Sequence, residues 1–393
     1  SMALVEGYAH TIEAMRAYYR HLTPSGAVAF VCQSSWLLLR QALTAIEALQ
    51  AEGLDRNSAL DRLVLFSVPP EDYALGPYRH LMLMFRGRPA TSRLRELARQ
   101  AVALDLLPVF VPGVYEPEPL ALLRDGNVDI DSFVGRCNAI WRPAAPPLDF
   151  RPCSDERPFI ADLSWGVPGP LRGFLAGAAA LLVGLLLACF AANPGAAPRG
   201  SVAPVMLYFV GLGVAFMMVE VVLIHTFTLY LGYPVLSLST VLFGILLGAA
   251  LGSLFSQRYE IQKLPHLVAV STLVICLLCV GLAFLPRAFL QPLFYLGVLL
   301  RSGAILLVVA VFGFAMGMPF PSGIRLAVDR LGRGVVPWAW GVNGVASVVG
   351  SAGVMALAKV AGFSSALLGG AGVYVAAAGV LGVWWMMRPS ARG

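Results

Sequence analysis

Two apolar runs limit what this chain can become. Residues 203–231 read APVMLYFVGLGVAFMMVEVVLIHTFTLYL, a Gly232-Tyr233-Pro234 turn follows, and residues 235–256 read VLSLSTVLFGILLGAALGSLFS. An apolar stretch of roughly 20 residues spans the hydrocarbon core of a bilayer. Two of them joined by so short a turn predict a transmembrane helical hairpin. One carboxylate, Glu220, lies in the middle of the first run. A charge at that depth costs several kcal/mol unless the group is neutral, paired or facing water. Glu220 is therefore the first residue to examine for function.

The remaining sequence divides unevenly. Residues 1–170 carry 16 basic and 19 acidic side chains, whereas residues 171–393 carry 12 basic ones and only three acids, Glu220, Glu260 and Asp329. Overall the chain is 58% hydrophobic and 13% charged, against about 25% charged in ordinary soluble domains. The first part has the composition of a soluble domain and the second that of a membrane domain. Seven apolar segments are candidates to span: about 171–193, 203–231, 235–256, 266–285, 300–320, 338–360 and 364–387. Gly244, Gly248 and Gly252 recur every four residues, as do Gly313 and Gly317. Small residues at that spacing let helices approach closely in lipid, and packing is the reading preferred over a ligand groove. The net charge of +6 comes mostly from loops and chain ends of the membrane part. It suits anionic headgroups, so a lipid bilayer is the expected partner and nucleic acid is not.

Within the first part, residues 10–22, 35–52 and 91–104 have helical spacing. The short runs Ala27–Cys32, Arg62–Val68, His80–Phe85 and Leu107–Val111 read as strands. Strands alternating with helices predict an α/β sheet with crossovers over residues 1–113. Residues 114–170, richer in Pro and polar side chains, read as a loop-rich connector, and residues 171–393 as the transmembrane helical domain. The opening SMALVEGYAHTIEAM reads as the interior of a domain, and no signal peptide precedes it. Six cysteines show no metal-ligand spacing. Cys276 and Cys279 form a CxxC inside an apolar helix, where small buried hydrophobes are expected, so no metal site is predicted.

Several segments together resemble a known family: multi-spanning bacterial membrane proteins with a spermidine-synthase-like domain between two hydrophobic halves. YAHTIEAMRAYYRHLTPSGAVAF at 8–30 resembles the helix-turn-strand that follows the cofactor site of that domain. Ser154-Asp155-Glu156-Arg157-Pro158-Phe159 is similar to the family's T-D-D-R-P-F motif. FMMVEVVLIHTFTLYLGYPVLSLSTVLFGILLGAALGSL, GMPFPSGIRLA (317–327) and WAWGVNGVASVVGS (338–351) resemble its later membrane motifs. The resemblance implies a partial Rossmann-like fold of the class I methyltransferase type, ahead of about seven transmembrane helices. It also implies a parent of the aminopropyl- or methyltransferase class, multi-pass in the bacterial inner membrane, with a cytoplasmic soluble domain. In that family the adenosyl cofactor sits on an early Gly-rich turn and an acid after the second strand, and an Asp near the fourth strand is the base. No such turn occurs here. By resemblance the chain is the C-terminal portion of a longer protein, with the N-terminal half as its missing partner. It is expected to hold no cofactor alone, S-adenosylmethionine or its decarboxylated form belonging to the full-length parent. Whether this chain is an enzyme stays open at this point.

The candidate residues each carry two readings. Glu220 is either a protonated, hydrogen-bonded structural group or part of a substrate or proton path. His225 lies five residues on, roughly 140° round the helix, so a joint metal site is not expected, and an interfacial role is preferred. Asn343, in Trp338-Ala339-Trp340-Gly341-Val342-Asn343-Gly344, needs partners in a membrane and reads as interhelical glue. The tryptophans beside it read as interface anchors. Asp155, Glu156 and Arg157 could face a polyamine-like or other small cationic substrate, or could form a local salt bridge that fixes the connector. Tyr8, in a Glu-x-Tyr position near where the family's active site would be, is the one catalytic candidate in the soluble part.

Charge and resemblance disagree on topology. Seven crossings place Arg199, Arg258, Lys263, Arg325, Arg330, Arg333, Arg388 and Arg392 on one side and Arg172, Arg287, Arg301 and Lys359 on the other. The richer side should be cytoplasmic, which puts residues 1–170 outside, against the resemblance. Two functions follow as expectations: the carboxy-terminal part of a membrane-bound transferase of the spermidine-synthase class, or a transporter-like or sensing module with Glu220 in its pathway.

Overall fold

The computed structural model of the protein describes residues 7–68, 80–126, 128–192, 202–284 and 290–387. Glu6 and the other residues at 1–6, Arg199, Arg287, Arg388 and Arg392 fall outside them. The chain divides into two compact units, Ser1–Gly166 and Val167–Gly393.

In the first unit α1 (Ile12–His21) begins at Thr11, whose hydroxyl accepts the Ala14 amide at 3.3 Å. Such a cap satisfies one of the amide donors that the first turn leaves unpaired. Strand β1 (Ala27–Cys32) follows, then α2 (Ser35–Ala51), capped by Ser34, then the short α3 (Arg56–Leu60), capped by Asp55. Strands β2 (Leu63–Ser67) and β3 (His80–Phe85) precede α4 (Thr91–Ala103) and β4 (Leu107–Phe110). The four strands form one sheet in the order β1-β3-β2-β4, and every neighbouring pair is antiparallel.

Because β1 and β2 both oppose β3, they run in the same direction, with α2 carrying the chain between them. The crossover expected from the strand-helix alternation is therefore present, but β3 lies between the strands it connects. The result is a small antiparallel sheet with helices on it. Side chains alternate across a strand, and β2 shows both faces in use. Leu63 and Leu65 enter a core with Leu39, Leu43 and Ile46 of α2, while Val64 and Phe66 enter another with Leu94 and Ala101 of α4.

Residues 114–166 belong to this unit. They carry α5 (Ile130–Trp141), which places Phe133, Val134 and Cys137 in the same core as α2. Asp129 caps α5 by accepting the Ser132 amide at 2.6 Å. The Pro-rich flanks drew the reading toward loop. The apolar pattern at 130, 133, 134, 137 and 141 was the helical signal within it.

Among its described residues the second unit has seven helices long and apolar enough to cross a membrane: Gly169–Ala192, Val202–Leu231, Pro234–Ser256, Ile261–Phe284, Val298–Leu331, Arg333–Ala361 and Phe363–Met386. Their helical cores are α6 (Gly169–Ala192), α7 (Val202–Leu231), α8 (Pro234–Ser256), α9 (Leu264–Phe284), α12 (Val336–Ala361) and α13 (Phe363–Met386). The fifth span is broken into α10 (Val298–Met316) and α11 (Pro319–Leu331). Pro319 and Pro321 cause the break, since proline cannot donate to the preceding turn and suits the first turn of a new helix.

The glycine stripes face each other. A Cβ on Gly248 or Gly252 would collide with the backbone of Ala310 or Phe314, and one on Gly313 would sit 2.5 Å from the Ile245 carbonyl oxygen. The register rises together along α8 and α10, so these helices run parallel with their backbones in contact. α7 packs in the same way on α12, where Gly350 meets Val214. It is the most extensively buried of the spans. Cys276 and Cys279 of α9 are free thiols.

Candidate functional site

Glu220 lies on α7 and is 7% exposed. No hydrogen bond or ion pair reaches its carboxylate among the described residues. It lies within electrostatic reach of the Tyr374 phenol on α13, as do Tyr208 and Cys279. Tyr374 is 1% exposed, and its hydroxyl likewise has no hydrogen-bond partner among the described residues.

Asn343 Nδ2 donates to the Phe209 carbonyl at 3.0 Å, bridging α12 to α7. That is the bond an amide in lipid needs. Ser347, one turn further along α12, donates to the Asn343 carbonyl at 2.9 Å. The break between α10 and α11 opens a cavity of about 370 Å³ that these side chains share. Its wall includes Phe216 of α7, Ser253 of α8, Phe320 of α11, Asn343 and Ser347 of α12, and Tyr374 of α13. Phe320 is held edge-on between Phe209 and Trp340, with ring centroids at 5.2 and 4.7 Å. Glu220 is one turn beyond Phe216 on the same side of α7, since residues four apart share a helix face.

His225 is not part of this arrangement. Its ring stacks on Phe363 at 4.8 Å, at the turn that starts α13. No group of three or more metal-ligating side chains occurs among the described residues. Sequence reasoning missed Tyr374, although a tyrosine inside the apolar run 364–387 is the same kind of signal as Glu220.

Three arginines of this unit act on helix ends. Arg325 donates to the Ser256 and Tyr259 carbonyls at the end of α8, at 3.0 and 2.8 Å. Arg330 donates to Trp384 and Trp385 near the end of α13, at 2.5 and 2.6 Å, and stacks over both indoles. Arg301 donates to the Tyr230 carbonyl at the end of α7 and to those of Leu293, Phe294 and Leu296. A cation at these positions satisfies terminal carbonyls and opposes the negative end of the helix dipole.

The soluble unit gathers its candidates elsewhere. Asp155 accepts the Thr11 hydroxyl at 2.6 Å, and its amide donates to Glu13 at 3.0 Å. The Gly7 amide donates to the Pro158 carbonyl at 2.7 Å, and the Ile12 amide to that of Cys153 at 2.8 Å. The segment 153–159 is thus laid along the start of α1. Glu47 of α2 faces it. Burial raises its carboxyl above the usual range, Arg157 pulls it down and Glu13 pushes it up.

Beneath this turn Arg40 donates to the carbonyls of Asp149, Phe159, Ile160 and Asp162, at 2.5 to 2.9 Å. His10 Nδ1 donates to Gln41 Oε1 at 3.1 Å, and burial lowers its pKa. Tyr8 is in a single 3-10 turn ahead of α1, where its carbonyl accepts the Thr11 hydroxyl. At the other end of the sheet Ser67 and His80 Nδ1 are 2.9 Å apart, both buried.

Among the described residues no glycine-rich turn follows a strand to approach a cofactor. Gly113, after β4, has φ of 66°, and a Cβ added there would meet nothing within 4 Å. The residues present do not form a holder for an adenosyl sulfonium. Comparison with family models, with curated proteins and with solved structures finds no match to this chain.

Proposed function

We propose that this chain is the carboxy-terminal part of a membrane-bound protein of the spermidine-synthase class, whose parent is an aminopropyl- or methyltransferase. The observation that supports the reading most is the meeting of two distant segments. The helix-turn-strand of residues 8–30 and the Ser154–Phe159 motif carry the resemblance independently, and they are joined by the Thr11–Asp155 bond and by the Asp155 amide donating to Glu13, with backbone bonds at Gly7 and Cys153 beside them. The α2 crossover between β1 and β2 is compatible with an α/β transferase domain. Transfer from an adenosyl sulfonium needs mainly positioning and a base to free the nucleophile. Neither role falls to a described residue of this chain, since none of them forms a cradle for the cofactor. The domain works with the parent's remaining sequence, and the seven helices hold it at the inner membrane, with the soluble part cytoplasmic.

Calorimetric titration tests this. The chain alone should show no micromolar binding of S-adenosylmethionine or decarboxylated S-adenosylmethionine, and adding the upstream part of its reading frame should create it. Micromolar binding by this chain alone overturns the assignment.

A second reading is favoured by Glu220 alone: a transporter-like or sensing membrane module. A buried carboxylate without a hydrogen bond or ion pair in a membrane helix is expensive, and repeat-built transporters place such groups near the midplane. On this reading Glu220→Gln abolishes uptake or binding of a cationic solute while leaving expression unchanged. If the variant only lowers stability, Glu220 is structural.

A further inference from the structure

We propose that the cavity of about 370 Å³ at the α10–α11 break binds a protonated amine carried on an apolar body. The proposal rests on the second reading above, and it supplies the site and the ligand class. The size falls within the 300–1,000 Å³ of ordinary small-molecule sites. Five spans contribute to the wall, and one of them is discontinuous, the arrangement by which membrane proteins expose polar groups at depth.

The wall can hydrogen-bond a polar ligand, and the charge around it selects which one. The Asn343 amide has spent a donor on Phe209, and the Ser347 hydroxyl has spent its donor on Asn343. What remains toward the cavity is both kinds of capacity: Asn343 Oδ1 and the Ser253, Ser347 and Tyr374 hydroxyl oxygens can accept, and the second Asn343 N–H and the Ser253 and Tyr374 hydroxyls can donate. No basic side chain lines the cavity. A ligand that donates finds at least four acceptor oxygens on this wall. Positive charge is favoured further by the faces of Phe216 and Phe320 and by Glu220 one turn away. The apolar remainder of the wall, including Leu212, Met217 and Met316, takes the body of the ligand.

The experiment is calorimetric titration of the full chain in detergent with 2-phenylethylamine and with its neutral analogue 2-phenylethanol, thermal unfolding serving as the control for fold. Saturable binding of the amine, and markedly weaker binding of the alcohol, are expected. Tyr374→Phe keeps the ring and removes only the hydroxyl, which has no partner in the protein among the described residues, so it should weaken amine binding about tenfold at an unchanged melting temperature. Ser253→Leu fills the cavity and should abolish binding. Equal affinity for amine and alcohol overturns the ligand class. A phospholipid chain found by mass spectrometry to occupy the cavity and to be expelled by Ser253→Leu overturns the proposal. If Glu220→Gln abolishes binding while the other two variants leave it intact, the site falls and the solute-module reading stands. If the wild type binds no amine, both fall.

Discussion

Arginines of the soluble unit pair with carboxylates as well as with backbone carbonyls, four of which Arg40 holds, whereas three arginines of the membrane unit hold carbonyls at helix ends, and the difference follows from what each unit has available to pair with. In the soluble unit Arg16 and Arg20 share Glu52, Arg151 forks onto Asp149, and Arg124 joins Glu116 and Asp61. In the membrane unit Arg301, Arg325 and Arg330 turn instead to backbone carbonyls at helix ends. Acids are expensive in lipid and nearly missing from that half of the sequence. Helix C-termini, by contrast, always carry unpaired carbonyls.

Packing differs in parallel. The sheet is sandwiched between large side chains from α2 and α4, whereas α8 and α10 touch through glycines. In water burying apolar side chains is itself favourable. Between helices in lipid that term vanishes, and close backbone contact takes its place.

The sharpest way to break this comparison is to widen the glycine contact. Gly248→Leu would force a side chain into the Ala310 backbone and should cost about 4 kcal/mol or more, read as a loss of folded protein in detergent unfolding. Gly281 has nothing within 4 Å of its would-be Cβ, so Gly281→Ala should stay within about 0.5 kcal/mol. Equal effects at the two positions would remove the packing argument.

Next in size is Arg301→Lys. An ammonium is a point donor and cannot hold four carbonyls as a fork does. The expected loss is about 2 kcal/mol, and it should be little altered by salt because no carboxylate is involved. A strongly salt-dependent loss would show that Arg301 works as an ion-pairing residue after all.

The smallest effect belongs to the soluble unit's ion pairs. Arg124 holds the Glu116 carboxyl below its usual range through two bonds, at 2.5 and 2.7 Å. Since the folded value is lowered, the stabilisation is fully present above the unfolded value near 4.5 and is lost as pH falls through the folded one. Glu116→Gln should therefore cost about 1 kcal/mol at pH 7, and the difference from wild type should vanish in acid unfolding curves. A constant difference at every pH would mean packing rather than charge.

Much of the architecture was legible beforehand because its signals are local. Each apolar run of the membrane half corresponds to a helix long enough to span, and the four short apolar runs of the soluble half correspond to strands. Helix α5 was obscured by prolines on either side of its pattern. The strand order was not legible, because nothing in β3 itself says that it slips between β1 and β2. Of the candidate site, Glu220 and Asn343 stood out as polar residues in apolar runs. That Asn343, Ser347 and Tyr374 share one cavity depends on how α12 and α13 are rotated against α7.

By itself the sequence determined that there is a membrane half, how many segments in it are apolar enough to cross, and that one carboxylate lies deep among them. Those properties depend on composition and periodicity, which each segment carries alone. Only the tertiary structure decided that the glycine stripes meet each other, that the arginines cap helix ends, and that the α10–α11 break opens a cavity beside Glu220. Each of these depends on the distance between segments far apart in the chain, and that distance is set only when the helices pack.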